Sequence, residues 1–187
     1  GNVIEFLNEI NQHEKISVVK CERQLGKKNL SVALNEGLKC CKYNLVARMD
    51  ADDVMLPDRL EKQLKYMQEN DVDILGGQCI QMSTGVVGRV MPEEVPPNMF
   101  YYRDHFLNHP SVIFKKDKIV EVGGYQETPD HTAEDFLLWT NCLKAGCKIS
   151  NLKDAVLVFR DKQPQSLSMT DSRHVNWQRS VLYASTT

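Results

Sequence analysis

Two groups of carboxylates are the residues in this sequence whose types and spacing could do chemistry. The first is Asp50-Ala51-Asp52-Asp53. The run before it, Tyr43-Asn44-Leu45-Val46-Ala47-Arg48-Met49, reads as a strand, so the acidic residues fall at a strand's carboxyl end. Ligands of open α/β sheets gather there. Three carboxylates within four residues repel one another unless a cation or hydrogen-bond donors stand between them. Hard oxygen ligands in such a place suit Mg²⁺ or Mn²⁺, which hold diphosphates through one or two carboxylates and the phosphate oxygens. The bland alternative is a solvated acidic turn ahead of the helix that Pro57 opens. A calcium loop of the EF-hand kind fails, because its sixth position would be Met55 where a glycine is needed, and the Pro57 helix would break it. A phosphatase with a nucleophilic aspartate lacks supporting Ser, Thr and Lys at suitable strand ends.

The second group is Glu134-Asp135, at the start of an amphipathic helix. Exposed amides at a helix N-terminus favour carboxylates, so a simple cap is one reading. The functional reading is a general base, held rigidly and free to accept a hydroxyl proton.

These groups need elements to position them. An amphipathic helix (Val3, Ile4, Phe6, Leu7, Ile10) precedes a short β-branched strand at residues 15–20. Leu30, Ala33, Leu34, Gly37, Leu38 and Cys41 recur at helical spacing. The Pro57 helix turns Leu60, Leu64 and Met67 inward and ends near Asn70, and residues 73–81 form a third strand. Helices alternating with strands argue for a layered α/β sheet of mostly parallel strands. From residue 82 to 108 the chain is rich in Pro, Gly and polar residues and reads as a long loop. A strand at 109–114, a short helix at 117–122 and a Gly123-Gly124 turn follow. A strong helix over 133–145 then ends at Gly146, and two short strands (149–152, 155–160) precede a polar tail with a terminal helix.

Bulk composition removes several function classes. With 23 basic and 25 acidic residues the net charge is −2, which supplies no field favouring nucleic acid. The six cysteines form no CxxC pair and no zinc spacing, and read as reduced, buried thiols of a cytosolic protein. No apolar run is long enough to span a bilayer. A cytoplasmic location follows, with room for peripheral association on the inner face of the membrane.

In order, the motifs closely resemble the family 2 glycosyltransferases with the GT-A-type fold. The resemblance rests on Leu34-Asn35-Glu36-Gly37-Leu38, Ala47-Arg48-Met49-Asp50-Ala51-Asp52-Asp53, residues 56–63, His109-Pro110-Ser111-Val112, Gly123-Gly124-Tyr125 and Ala133-Glu134-Asp135-Phe136-Leu137-Leu138-Trp139. It covers residues 1–168, leaving 169–187 as a tail, and implies a three-layer α/β/α domain. It also implies roles: Asp50 toward the donor's ribose and diphosphate and at the metal, Asp52 as ligand of Mn²⁺ or Mg²⁺, Asp53 supporting it. Asp135 would be the catalytic base, Asn35 and Arg48 would lie on the nucleotide side, and His109 and Glu134 on the acceptor side. The donor would be a UDP- or GDP-sugar, the acceptor a glycan or lipid-linked molecule, and the transfer inverting.

The family's opening strand, its Pro-Thr/Val-Tyr-Asn turn and its Asp-Asp-Gly-Ser segment have no counterpart here. The expectation is therefore a chain that lacks this part of the domain and by itself binds donor weakly or not at all. Two other readings share the layout: a sugar nucleotidyltransferase, and a non-catalytic glycan- or partner-binding domain.

Overall fold

The computed structural model describes residues 3–19, 21, 30–102, 105–127 and 133–161. Its centre is made by β3 (Ile74–Gln81) and β5 (Ile113–Lys115). Successive side chains of a strand face opposite ways. Here Ile74 pairs with Phe114 and Leu75 with Ile113. The first pair enters one hydrophobic cluster and the second pair enters another, on the opposite face. Against the first cluster pack α2 (Leu30–Cys40) through Leu38, α4 (Lys116–Glu121) through Ile119, and α5 (Glu134–Lys144) through Phe136, Leu138, Trp139 and Leu143. Against the second packs α3 (Arg59–Glu69), through Leu64, Tyr66 and Met67. The three-layer α/β/α arrangement is thus present.

The sheet runs β1 (Leu45–Ala47), β5, β3, β6 (Ile149–Phe159), β2 (Val54–Met55), with β4 (Glu94–Val95) also on β6. Its expected, mostly parallel character is corrected: among the described strands only β3 and β6 pair in parallel. The pairings β1·β5, β3·β5, β2·β6 and β4·β6 are antiparallel. Strands β1, β3 and β6 do run the same way, as helical crossovers require. β5 wedges between β1 and β3 in the opposite sense, after the 82–108 segment has carried the chain back across the sheet.

Other expectations shift for local reasons. Residues 16–19 form no strand, and the Asn11 side chain accepts the Val18 N–H at 2.7 Å; Lys20 lies outside the described residues. His109–Ser111 is a 3₁₀ turn, so the strand begins only at Ile113. The two expected final strands are one, β6, with an irregular register where Asn151 faces Gly76 and Ala155 faces Gln78; exposed Lys153 and Asp154 sit in the bulge. Leu60 points outward, and Arg59 and Gln63 take the buried side of α3. The terminal helix falls outside the described residues.

The 82–108 segment is pinned rather than loose. The buried Gln78 amide donates to the carbonyls of Met91 (3.1 Å) and Leu152 (2.9 Å) and accepts the Met91 N–H (2.8 Å). Asn151 donates to the carbonyls of Pro92 (2.7 Å) and Phe106 (2.8 Å). Gly76 leaves room for that amide, since a Cβ there would stand 2.2 Å from Asn151 Oδ1. The six cysteines are all free, but only Cys79, Cys142 and Cys147 are buried, which corrects the expectation for Cys21, Cys40 and Cys41. No described helix is long and apolar enough to cross a membrane.

Candidate functional site

The Asp50 corner is built from the end of β1. The Arg48 N–H donates to the Val112 carbonyl at 2.9 Å, tying that end to the entry of β5. The Arg48 guanidinium then forks onto Asp50, Nη1 to Oδ2 at 2.8 Å and Nη2 to Oδ1 at 2.6 Å. Two parallel, charge-assisted bonds fix both groups in orientation. Arg48 Nε is buried without a hydrogen-bond partner. Asp53 turns inward, where Oδ1 accepts the Arg160 N–H at 2.9 Å and Oδ2 has no partner. Burial pushes the Asp53 carboxyl above the usual range, and the charges of Asp50 and Asp52 add to this. Asp52 stays exposed.

Beneath this corner lies a pair that sequence reasoning passed over. Arg59, fully buried, donates from Nε to Gln63 Oε1 (3.0 Å) and from Nη2 to the carbonyls of Arg48 (2.8 Å) and Val112 (3.2 Å). Gln63 donates in turn to the carbonyls of Ser111 (2.9 Å) and Leu75 (3.2 Å). One turn of α3 thereby clasps the ends of β1 and β5. The signal was an Arg and a Gln four residues apart, which share one helix face, inside a block already quoted for its resemblance.

A second group of candidate residues comes from three segments. His109 Nε2 lies 3.0 Å from the Tyr125 hydroxyl, and the imidazole stands edge-on to Trp139 at 5.9 Å. Burial holds the His109 pKa down to about 3, so its ring is neutral. Burial likewise raises that of the Tyr125 hydroxyl. Trp139 Nε1 is buried with no hydrogen-bond partner. Helix α5 begins just after Ala133, whose φ of 59° puts a non-glycine residue in the left-handed region. Such backbone persists only where its surroundings hold it, and it gathers at functional sites. Glu134 is buried at this start, while Asp135 is half-buried and accepts the Phe136 N–H at 2.8 Å.

These groups share one electrostatic neighbourhood. Burial lifts the Glu134 carboxyl to about 7, the Asp135 charge raises it further, Arg48 opposes the rise and Asp50 adds to it. Arg48 and Asp135 also act on both His109 and Tyr125. The Asp50 corner and the α5 start, some eighty residues apart in sequence, thus lie near enough for the Arg48 and Asp50 charges to act on Glu134. The Asn35 side chain bonds the backbone of Tyr125 through both its amide atoms.

The raised Glu134 group makes a stability prediction. Its folded pKa lies above its unfolded value, so its contribution is complete below about pH 4 and is lost as pH rises to about 7. Glu134→Gln should remove that slope, leaving the variant more stable than the parent at pH 8 by about 2–3 kcal/mol. Urea denaturation of both proteins at pH 5 and pH 8 measures it; equal slopes would refute the assignment.

A metal can be tested against the donor set. Among the described residues no three His, Cys, Asp or Glu side chains are grouped to hold a metal unaided. Mg²⁺ and Mn²⁺ sites on diphosphates need only one or two carboxylates, the phosphates supplying the rest. The exposed Asp52 carboxylate and the unpartnered Asp53 Oδ2 fit that need. The two Asp50 oxygens are already engaged by Arg48.

The model of glycosyl transferase family 2 matches residues 2–119, well over half of the chain. The chain belongs to that family. It is 35% identical over 149 residues to the amylovoran biosynthesis glycosyltransferase AmsE of Erwinia amylovora, covering 76% of this chain and 53% of that protein. It is 31% identical over 169 residues to the UDP-Gal:alpha-D-GlcNAc-diphosphoundecaprenol beta-1,3-galactosyltransferase of Escherichia coli (86% and 60%). The chain spans about half the length of the curated relatives it matches. Among solved structures it superposes on S. aureus TarS 1–349 in complex with UDP-GlcNAc with a TM-score of 0.70 at 17% identity, covering 96% of this chain and 52% of that one. On the mannosyltransferase PcManGT from Pyrobaculum calidifontis in complex with GDP-Man and Mn²⁺ the score is 0.60 at 18% identity (92% and 47%). The fold is accordingly of GT-A type.

Proposed function

We propose that this chain is the metal- and acceptor-binding part of an inverting glycosyltransferase. The enzyme would move a sugar from a nucleotide-diphosphate sugar to a hydroxyl of a glycan or lipid-linked acceptor. The observation that carries this reading is the electrostatic meeting of Glu134 with Asp50 and Arg48 across one site, with Asp135 beside it. Relatives and neighbours named for UDP-Gal, UDP-GlcNAc and GDP-Man support a UDP- or GDP-sugar donor. The relative whose name carries a diphosphoundecaprenol substrate supports a lipid-linked acceptor. The domain runs to residue 168, and the protein works in the cytoplasm or on the inner face of the membrane.

Asp135 takes the proton as the acceptor oxygen bonds to the anomeric carbon. The bond from that carbon to the diphosphate breaks in the same displacement, its electron pair leaving with the nucleoside diphosphate, so configuration inverts. Asp52, with Asp50 and Asp53 beside it, would hold a Mn²⁺ or Mg²⁺ ion, which when bound offsets charge on the diphosphate. Arg48 fixes the Asp50 carboxylate, and the His109–Tyr125–Trp139 packing sets the height of the α5 start. Much of the rate gain comes from alignment of the two substrates.

The test is Asp52→Asn in the intact protein, with Mn²⁺-dependent binding of UDP and GDP followed by calorimetry. Affinity in Mn²⁺ should fall by about 10–100-fold and the metal dependence should flatten. Unchanged metal-dependent binding would remove Asp52 from the metal. Release of pyrophosphate in place of nucleoside diphosphate would overturn the reaction class.

A further inference from the structure

The Asn35 side chain makes a two-pronged contact that the motif reading did not assign to it. Its Nδ2 donates to the Tyr125 carbonyl at 2.7 Å and its Oδ1 accepts the Tyr125 N–H at 2.9 Å, ninety residues away in sequence. A side-chain amide here replaces a rung of β-ladder, satisfying both backbone groups of one residue. One turn earlier on α2, Ser31 Oγ donates to the Gln126 carbonyl at 3.1 Å. The turn is shaped to receive this amide. Gly124 has a φ of +69°, and a Cβ on it would stand 2.6 Å from Asn35 Oδ1. Only glycine meets both conditions without strain.

The contact continues inward. Tyr125, held by its backbone, places its hydroxyl 3.0 Å from His109 Nε2, and His109 packs edge-on against Trp139 of α5. Tyr125, His109 and Trp139 are all nearly inaccessible to solvent. A displacement of Tyr125 must therefore be absorbed by His109 and Trp139, because close-packed interiors pass on strain. Trp139 lies one helical turn beyond Asp135 on the same short helix.

We infer that Asn35 is a positioning residue for the transfer reaction, a latch that sets the Asp135 end of α5 through Tyr125, His109 and Trp139, and not a contact of the nucleotide. This rests on the function proposed above. Among the described residues, the Asn35 side chain hydrogen-bonds to Tyr125 and to neither the Asp50 corner nor Asp135. Its loss should slow the chemical step while leaving donor affinity alone.

The experiment compares the parent protein with Asn35→Ala and Asn35→Asp, both in the intact protein. Hydrolysis of UDP-GlcNAc, UDP-Gal and GDP-Man with Mn²⁺ gives kcat and donor KM, and calorimetry with UDP and with GDP gives Kd. The latch predicts a kcat reduced about 10-fold or more in Asn35→Ala at unchanged Kd, consistent with the cost of small misplacements at a reacting centre. Asn35→Asp, which keeps the acceptor for the Tyr125 N–H but loses the donor, should fall between. Gly124→Ala should lower kcat more in the parent background than in Asn35→Ala, where the clashing oxygen is gone. A rise in Kd matching the loss of turnover would make Asn35 a nucleotide contact and overturn the proposal. A lower melting temperature with kcat and Kd unchanged would overturn it as well, leaving a purely structural amide. If Asn35→Ala does not fold, Asn35→Asp and Ser31→Ala decide by the same readouts. A parent that turns over none of the three sugars sinks the transferase reading itself. Hydrogen exchange at the Tyr125 amide then judges the latch alone: acceleration in Asn35→Ala keeps it, and an unchanged rate refutes it.

Discussion

Asp135→Asn in the intact protein should cut sugar transfer by about 10²–10⁴-fold, the usual contribution of a positioned general base, while leaving nucleotide affinity unchanged. The split follows from the geometry. Asp135 sits in the first turn of α5, makes no hydrogen bond to the Asp50 corner among those of the described residues, and accepts a backbone bond from Phe136 that Asn can also accept through its amide oxygen. The substitution therefore keeps shape and packing while removing the proton acceptor. Glu134 is not a ready substitute: it is buried, and burial raises its carboxyl to about 7, so a large fraction carries a proton at neutral pH. Initial rates with the best donor at pH 7.5, read against Kd for UDP or GDP, measure the effect. Retained transfer within a few-fold of the parent would mean that the base lies elsewhere. Partial recovery of the variant at pH above 8, where Glu134 is ionised, would identify Glu134 as the auxiliary acceptor.

The sequence showed the elements with strong periodicity and concealed those defined by contact. The helices over 30–40, 59–69 and 134–144 were legible because their apolar residues repeat at helical spacing. Strand β3 was legible from its apolar run. β2 and β4 were not, since two residues each carry no pattern and exist only because β6 offers them an edge. Sheet direction was misread because β5 inserts between β1 and β3 from far along the chain, and local pattern holds no information about that return. In the site, the acidic motifs stood out by type and position. The Arg48–Asp50 fork did not, because both residues lie beyond the end of β1 at Ala47, where strand alternation no longer sets side-chain direction. There a long Arg side chain reaches forward to a carboxylate two residues on. The phase of α3 was misjudged at Leu60 for a related reason. Hydrophobicity marked Leu60 as inward, yet the buried position went to Arg59, whose guanidinium finds acceptors that no apolar side chain could satisfy.

Arg59→Met should lower stability by about 2–4 kcal/mol, the second large effect expected of a single substitution. Methionine matches much of the volume, so the loss is chiefly polar. Two acceptors lose this donor, Gln63 Oε1 and the Arg48 carbonyl, while the Val112 carbonyl loses one of two donors and keeps the Arg48 N–H. Each stranded acceptor costs about 1–3 kcal/mol. Relief works against this, because Arg59 is a buried cation with no carboxylate among its hydrogen-bond partners, and burial lowers its pKa. Removing that charge recovers part of the loss, which is why the lower end of the simple sum is expected. Arg59→Lys separates the two contributions: it keeps the buried charge but can reach fewer acceptors, so it should be no more stable than Arg59→Met. The consequence for function is specific. Arg59 bonds the carbonyl of Arg48, two residues before Asp50, so loosening it frees the corner that presents Asp52. Metal-dependent nucleotide affinity should therefore fall in Arg59→Met at temperatures where the protein remains folded, whereas the Asn35 variants should leave it intact. Urea denaturation and calorimetry with Mn²⁺ and UDP or GDP measure both halves. A variant within 1 kcal/mol of the parent would show that the charge relief cancels the lost bonds, and that the clasp holds the two strand ends without stabilising the fold.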